Sequence, residues 1–343
     1  MGQNDDDGPS AGAGEGLADF VRAAFGWRAE VTVSAGPRGA LGQVWRLRVG
    51  SDCYALKEIF ADPSPPALIE AELLLAGRAA AAGVRLPASH PDLRGDYLLT
   101  TPSGKSLRLY DWVDLRPLDL TAADAPAKVG PLLARLHRSA PAAQTEPGGD
   151  PPSAWYDHTP APESWADALA SGASWASLLA ERVSTLPQLC ADVTPAEPGA
   201  LLLCHRDLHP ENVLADPDGN LVVVDWDDVG PAAPAREIAA ALFDWFCPGP
   251  VADPTAMAQM YAAYLDADGP GLITGPADFS MLLAARLNFL LLQTRIALDP
   301  AAEQRHRQWA EREIEEALQI LPAQGQLAAA LALARKETAR RQT

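Results

Sequence analysis

The sequence predicts an α+β protein built as two segregated lobes, and three observations predict it. Short runs rich in β-branched and aromatic residues crowd the first third of the chain, and apolar residues at helical spacing dominate from about residue 117 onward. With 343 residues the chain exceeds what one hydrophobic core usually serves. Strands followed by helices, rather than alternating with them, favour an antiparallel sheet lobe beside a helical lobe.

Taken in order, residues 1–16 (MGQNDDDGPSAGAGEG) are acidic and glycine-rich and predict a disordered start. Leu17, Phe20, Val21, Ala24 and Phe25 then recur at helical spacing. EVTVSA, QVWRLRV and CYALKEIF, separated by glycine-bearing turns, predict an antiparallel meander. Pro65 and Pro66 open a helix that Gly83 closes, and DYLLTT and SLRLYDWV add two strands, so residues 17–114 form the first lobe. The second lobe, 115–343, begins with a stripe of Val129, Leu132, Leu133 and Leu136, and helices are expected over 163–182, 234–246, 254–267, 278–297 and 301–320. AAQTEPGGDPPS (142–153) predicts a linker, and the basic tail LARKETARRQT is expected to fray after extending a helix. Trp155, Trp165 and Trp175 recur at ten-residue steps, close to three helical turns, which places Trp165 and Trp175 on one helix face as core residues or as the wall of a flat substrate.

The charge balance of 27 basic against 45 acidic residues, a net −18, argues against nucleic acid and anionic membranes as partners and is compatible with a cationic substrate, although an acidic surface that keeps the chain soluble is the plainer explanation. No apolar run reaches the roughly 18 residues of a membrane span, and the acidic N-terminus is unlike a signal peptide. Cys53, Cys190, Cys204 and Cys247 are widely spaced and form no CxxC pair, so a reducing, cytoplasmic setting is expected. The pattern specifies no oligomeric state.

The densest chemistry lies in CHRDLHPENVLADPDGNLVVVDWDD, residues 204–228. His205, Asp207 and His209 alternate as H-x-D-x-H, which a metal-dependent hydrolase could use, and a polar turn between two strands is the plainest alternative. Phosphoryl transfer accounts for more of the residues. It needs a carboxylate to orient the attacking hydroxyl, an oxygen ligand for magnesium and a second carboxylate at the metal. Asp207, then Asn212 five residues on, then Asp225 thirteen further, supply these types in that order. A hairpin through ADPDGN would bring Asn212 and Asp225 to adjoining strand ends, where two hard oxygen ligands face one site.

HRDLHPENVL followed by VVVDWDD resembles the catalytic loop and metal segment of the aminoglycoside phosphotransferase and choline kinase superfamily, relatives of the protein kinases. The resemblance covers most of residues 28–246 and implies a bilobal protein-kinase-like fold that uses ATP and Mg2+. It implies Asp207 as catalytic base and Asn212 and Asp225 as magnesium ligands, with His205 packing and His209 bracing the loop. YALKEIF resembles the kinase Ala-x-Lys strand, placing Ala55 over adenine and Lys57, one of only four lysines, at the α and β phosphates. Glu72, set among Leu68, Ile69, Leu75 and Ala76, is implied as the partner of Lys57, with Glu70 as the fallback. GPRGALG departs from the kinase glycine loop, yet Gly39 and Gly42 are expected to admit backbone amides near the phosphates, with a plain hairpin turn as the alternative. LYDWVD resembles the hinge between lobes, and Glu237 is implied as support for the catalytic loop. Arg206 stands where many antibiotic kinases carry glycine. No D-F-G or A-P-E follows Asp225, which disfavours a protein substrate.

The reading is therefore an ATP-dependent small-molecule O-phosphotransferase acting on an aminoglycoside or similar hydroxylated cation, an antibiotic-resistance type of activity. Asp157, Glu163, Asp167, Asp227, Asp228 and Asp244 are candidate amine binders, with Asp227 and Asp228 nearest the metal segment. A metabolic kinase of choline, homoserine or sugar-amine type shares all these residues, and a catalytically silent nucleotide-binding module is the reading from another class.

Overall fold

The computed structural model describes residues 11–38, 42–60, 65–143 and 154–342. Two compact units emerge: residues up to Leu73 with Leu86–Leu115, and Leu74–Arg85 with Arg116 onward.

The first unit opens with helix α1 (Ala11–Phe25), which starts inside the segment 1–16 that the composition marks as disordered. Leu17 to Phe25 pack on the sheet and anchor the helix, and the glycine-rich turn before them continues it. Strands β1 (Val31–Arg38), β2 (Gly42–Val49) and β3 (Asp52–Ile59) form the expected antiparallel meander. Gly50, at φ +61°, opens the two-residue turn between β2 and β3 in the conformation such hairpins require. Helix α2 (Pro66–Ala81) follows, then β4 (Ser89–His90), β5 (Leu99–Thr100) and β6 (Ser106–Asp111). The sheet order is β1-β2-β3-β6-β4, with β5 also on β6. Strand alternation gives this sheet two unlike faces. Leu47, Leu56, Leu107 and Leu109 are buried with Val21 of α1 on one face. The register Val44↔Lys57↔Arg108 and Arg46↔Ala55↔Tyr110 puts Ala55 and Lys57 on the other.

The second unit holds α3 (Ala125–Ser139), α4 (Ala154–Asp157), a 3-10 turn (Pro162–Trp165), α5 (Ala166–Ala170) and α6 (Ala176–Leu189). The helix expected over 163–182 is thus broken. Gly172 takes φ +69°, and Ser171 Oγ donates to the Ala168 carbonyl while accepting from the Ala173 N–H, which stops one helix and starts the next. Trp165 and Trp175 still share a core, with Leu179, Leu287 and Ile314, but a turn brings them together and not a common helix face. Four short strands follow, β7 (Leu202–Cys204), β8 (Val213–Ala215), β9 (Leu221–Val223) and β10 (Gly230–Ala232), pairing as β7 with β10 and β8 with β9.

Helix α7 (Pro234–Phe246) is apolar on nearly every side and correspondingly buried. Helix α8 (Pro254–Asp266) is capped by Asp253, whose carboxylate accepts the Thr255 and Ala256 N–H groups, with Pro254 at the first helical position. Helices α9 (Ser280–Leu298), α10 (Gln304–Ile320) and α11 (Gln324–Gln342) complete the chain. Pro276–Leu298 is the one single helix among the described residues long and apolar enough to cross a membrane, and its Leu283, Leu287 and Leu290 are buried against Ile314 and Leu318 of α10. The basic tail stays helical rather than fraying. Arg335 donates to the Thr274 carbonyl and Arg341 pairs with Asp268, partners invisible to local sequence patterns.

Helices α3 and α8 cross closely enough that a Cβ on Gly130 would lie 2.3 Å from the Met260 carbonyl oxygen. Gly130→Ala must push the two helices apart. The expected cost is about 1–3 kcal/mol of unfolding free energy, read as a lowered midpoint in thermal or denaturant melts.

Candidate active site

The second unit gathers its chemistry on the link between β7 and β8. Asp207 lies on that link with its side chain 40 % exposed. Asn212 Nδ2 donates to the Asp207 backbone oxygen at 3.0 Å and to its Oδ2 at 2.7 Å. Both amide hydrogens are then used inside the loop, and among the described residues no donor reaches Asn212 Oδ1 or Asp207 Oδ1. An amide oxygen and a carboxylate oxygen are thereby left for ligands. The β8–β9 hairpin turns at Asp216–Asn220, with Gly219 at φ +82°. Its register runs Val213↔Val223, and the Val224 N–H donates to the Asn212 carbonyl at 2.9 Å. Asp225, at φ +58°, is the next residue, so the hairpin carries Asn212 and Asp225 on adjoining ends as its turn residues lead one to expect. Hard oxygen donors on neighbouring strands fit a divalent cation of the magnesium type.

Burial favours the neutral form of the Asp207 carboxyl, but the His209 hydrogen bond and charge, the charge of His205 and the Asn212 amide outweigh it and hold the group below its ordinary value. Burial likewise opposes a charge on His209, yet Asp207, then Asp244 and Glu211, raise it to about 9. The Asp207–His209 ion pair spans 3.4 Å. An anionic Asp207 suits orienting a hydroxyl and receiving its proton as the bond to phosphorus forms. His205 packs beneath the loop: Nε2 donates to the Val224 carbonyl at 3.1 Å, and the ring meets Trp226 edge-on at 4.9 Å.

What holds the loop is a buried carboxylate on α7. Glu237 accepts the Arg206 backbone N–H on one oxygen and His137 Nε2 at 2.6 Å on the other. The Gly271 N–H donates to the Tyr264 hydroxyl, so that hydroxyl's proton points to His137 Nδ1 at 2.7 Å. This order fixes the tautomer with hydrogen on Nε2. Trp245, also on α7, donates Nε1 to the Leu208 carbonyl at 2.8 Å. His137, Cys204 and Glu237 sit close enough to hold an ion, but the space between them has no room for a water and their polar atoms already bond protein. A metal-hydrolase centre does not fit there.

Among the acidic candidates, Asp157 is buried against Arg236 at 3.1 Å and Asp244 pairs with Arg286 at 2.6 Å. Asp228 faces Asp207. Burial and then the charge of Asp207 raise the Asp228 carboxyl above the ordinary value, against the opposing Arg206 charge and Tyr156 hydroxyl. Sequence reasoning passed over Tyr156, Trp245 and Tyr264, which carry no motif.

In the first unit, Gly42 begins β2 so close to β3 that a Cβ would lie 2.7 Å from the Glu58 carbonyl and 3.7 Å from Lys57 Cε. Only glycine allows this approach, whereas Gly39 lies outside the described residues. Ala55 and Lys57 share a sheet face as the strand period requires. The sequence implies Lys57 as the partner of Glu72, and the structure shows an arginine on that carboxylate. Arg108 of β6, directly across from Lys57, grips the buried Glu72 carboxylate through both Nη groups, Nη2 to Oε1 at 2.9 Å. Its signal was present in SLRLYD: an arginine between Leu107 and Leu109 must meet an acid if its strand is buried.

The model of a phosphotransferase enzyme family matches residues 32–279. No curated protein matches the sequence. Among solved structures, a spectinomycin phosphotransferase in complex with ADP and spectinomycin superposes with TM-score 0.60 at 13 % identity, covering 93 % of this chain and 98 % of that one. An amicoumacin kinase in complex with AMP-PNP, Ca2+ and Ami gives 0.58 at 18 %, with 90 % and 95 % covered. A microcompartment-associated aminopropanol kinase gives 0.58 at 22 %, with 94 % and 97 % covered. At these identities the likeness is one of fold.

Burial favours protonation of Glu237, but His137, His205 and the Arg206 N–H together hold its carboxyl below the ordinary value of 4.5. A depressed folded value stabilises the protein fully above the unfolded value and loses that contribution as pH falls through the folded one. The stability gap between wild type and Glu237→Gln should therefore be widest above about pH 5 and narrow steadily below it in denaturant titrations. Glu237→Ala, which strands two buried donors, should cost about 3 kcal/mol at neutral pH.

Proposed function

Because the chain belongs to the phosphotransferase enzyme family, we propose that it transfers the γ-phosphoryl group of ATP to a hydroxyl of a small cationic compound, an aminoglycoside or a similar hydroxylated amine. The observation that carries this reading is the catalytic loop, in which Asn212 uses both amide hydrogens on Asp207 and leaves oxygens of both residues open. Asp207 orients the acceptor hydroxyl and takes its proton. Asn212 and Asp225 would hold Mg2+, which neutralises phosphate charge when bound. Lys57, beside Ala55 and close to Gly42, meets the α and β phosphates, and Glu72 steadies that sheet face through Arg108. Reaction in line between fixed groups derives most of its rate from positioning and charge.

Support for a positively charged acceptor comes from the side chains around the loop. Glu211 acts on His209, and Glu313 of α10 has its carboxyl raised by burial and by the charges of Glu316 and Glu211. Carboxylates that repel one another beside a reaction centre favour an amine-bearing acceptor. The neighbours include kinases of spectinomycin and aminopropanol, which is consistent with this class. The four cysteines are all free thiols, which suits the cytoplasm.

A nucleotide-consumption screen across aminoglycosides, other antibiotics and amino alcohols should reveal acceptor-dependent turnover that Asp207→Asn lowers about 10²–10⁴-fold without loss of nucleotide binding. Lys57→Ala should raise KM for ATP as well as lower kcat. Tight Mg-ATP binding with no turnover on any acceptor would instead make the chain a silent nucleotide-binding module.

A further inference from the structure

Arg206 immediately precedes Asp207 and takes φ +67°, a backbone conformation natural to glycine and strained for a residue with a side chain. Something in the side chain must offset that. Arg206 Nε donates to the Asp228 carbonyl at 2.5 Å, and its guanidinium lies over the Tyr156 ring, 4.4 Å from the centroid. It also fills the space beside Gly230, where a Cβ would come within 2.5 Å of Arg206 Cζ. Meanwhile the Arg206 backbone N–H is held by Glu237. The segment so gripped begins at Asp225, at φ +58°, and crosses from the end of β9 at Val223 to the start of β10 at Gly230 without strand pairing of its own.

We propose that Arg206 is a positioning residue that clamps the Asp225–Gly230 segment to the loop bearing Asp207, so that the Asp225 carboxylate keeps its place beside Asn212. The proposal rests on the reading of Asp225 as a metal-binding carboxylate. One residue thereby ties together, by backbone to α7 and by side chain to the segment after β9, the two pieces of chain that must share a metal. Gly230 belongs to the same device. Its missing side chain is the seat of the guanidinium, and a methyl group there would evict Arg206 without touching Asp207, Asn212 or Asp225.

Calorimetric binding of AMP-PNP to the full chain, with and without Mg2+, combined with thermal melting, tests the clamp on R206G, R206K, G230A and the R206G/G230A double variant. R206G should lose about tenfold or more in affinity for Mg2+-AMP-PNP, keep its affinity for the metal-free nucleotide, and melt no lower than wild type because glycine relaxes the +67° backbone. R206K, which lacks the flat fork, should resemble R206G. G230A should reproduce the loss on its own and add nothing to R206G, since both remove one contact. Wild-type affinity in R206G, equal losses with and without Mg2+, or additive losses in the double variant would overturn the clamp. A wild-type chain that binds AMP-PNP no better with Mg2+ than without it would instead overturn the metal-site reading on which the clamp rests.

Discussion

A carboxylate sealed away from water is stable only if its charge is matched by directed hydrogen bonds, and Glu237 on α7 meets that condition by drawing in the Arg206 N–H and the His137 ring. The order of hydrogens follows from one end to the other. The Gly271 amide fixes the Tyr264 hydroxyl, the hydroxyl fixes the imidazole, and the imidazole fixes the acid. Because that acid then holds the backbone beside Asp207, the loop inherits the rigidity of helices α3, α7 and α8. A catalytic loop on short strands would otherwise have little to resist its own motion.

The same logic recurs at smaller scale within the site. Asn212 folds its amide nitrogen onto Asp207, and this turns its oxygen outward. Trp245 anchors the Leu208 carbonyl from the helix that carries Glu237. In the first unit Glu72 and Arg108 form a buried pair whose two hydrogen bonds orient both partners next to Lys57. Buried ion pairs add little net stability, since desolvation consumes most of their attraction, but removing one partner strands the other. Their value here lies in direction: each holds a functional group at one angle.

Electrostatics around the loop divide the labour between neighbouring acids. Asp207, next to a cationic His209, remains an anion, whereas Asp228, buried and facing the charge of Asp207, resists ionisation although Arg206 and the Tyr156 hydroxyl oppose that shift. Two carboxyl groups close in space thus differ in charge because of what faces them, not because of their chemistry. Arg206, set between Tyr156 and Asp228, moderates both.

Much of this was legible in the amino-acid order, because it depends on interactions within a few residues. Strand alternation placed Ala55 and Lys57 on one face, the Asp-Gly turn set the β8–β9 hairpin, and that hairpin carries the candidate residues Asn212 and Asp225 on adjoining ends. Where local signals were weak the reading slipped. The start of α1 was settled by packing and the helical tail by distant hydrogen bonds, while the break at Gly172 came from a local Ser-Gly stop that the helical spacing masked. Only the tertiary structure decided which cation meets Glu72, which hydroxyl orients His137, and what fills the space beside Gly230, since these partners lie 36, 127 and 24 positions apart in the chain. A sequence states which charges and donors are available, but burial decides which of them must find each other, and burial exists only once the chain has folded.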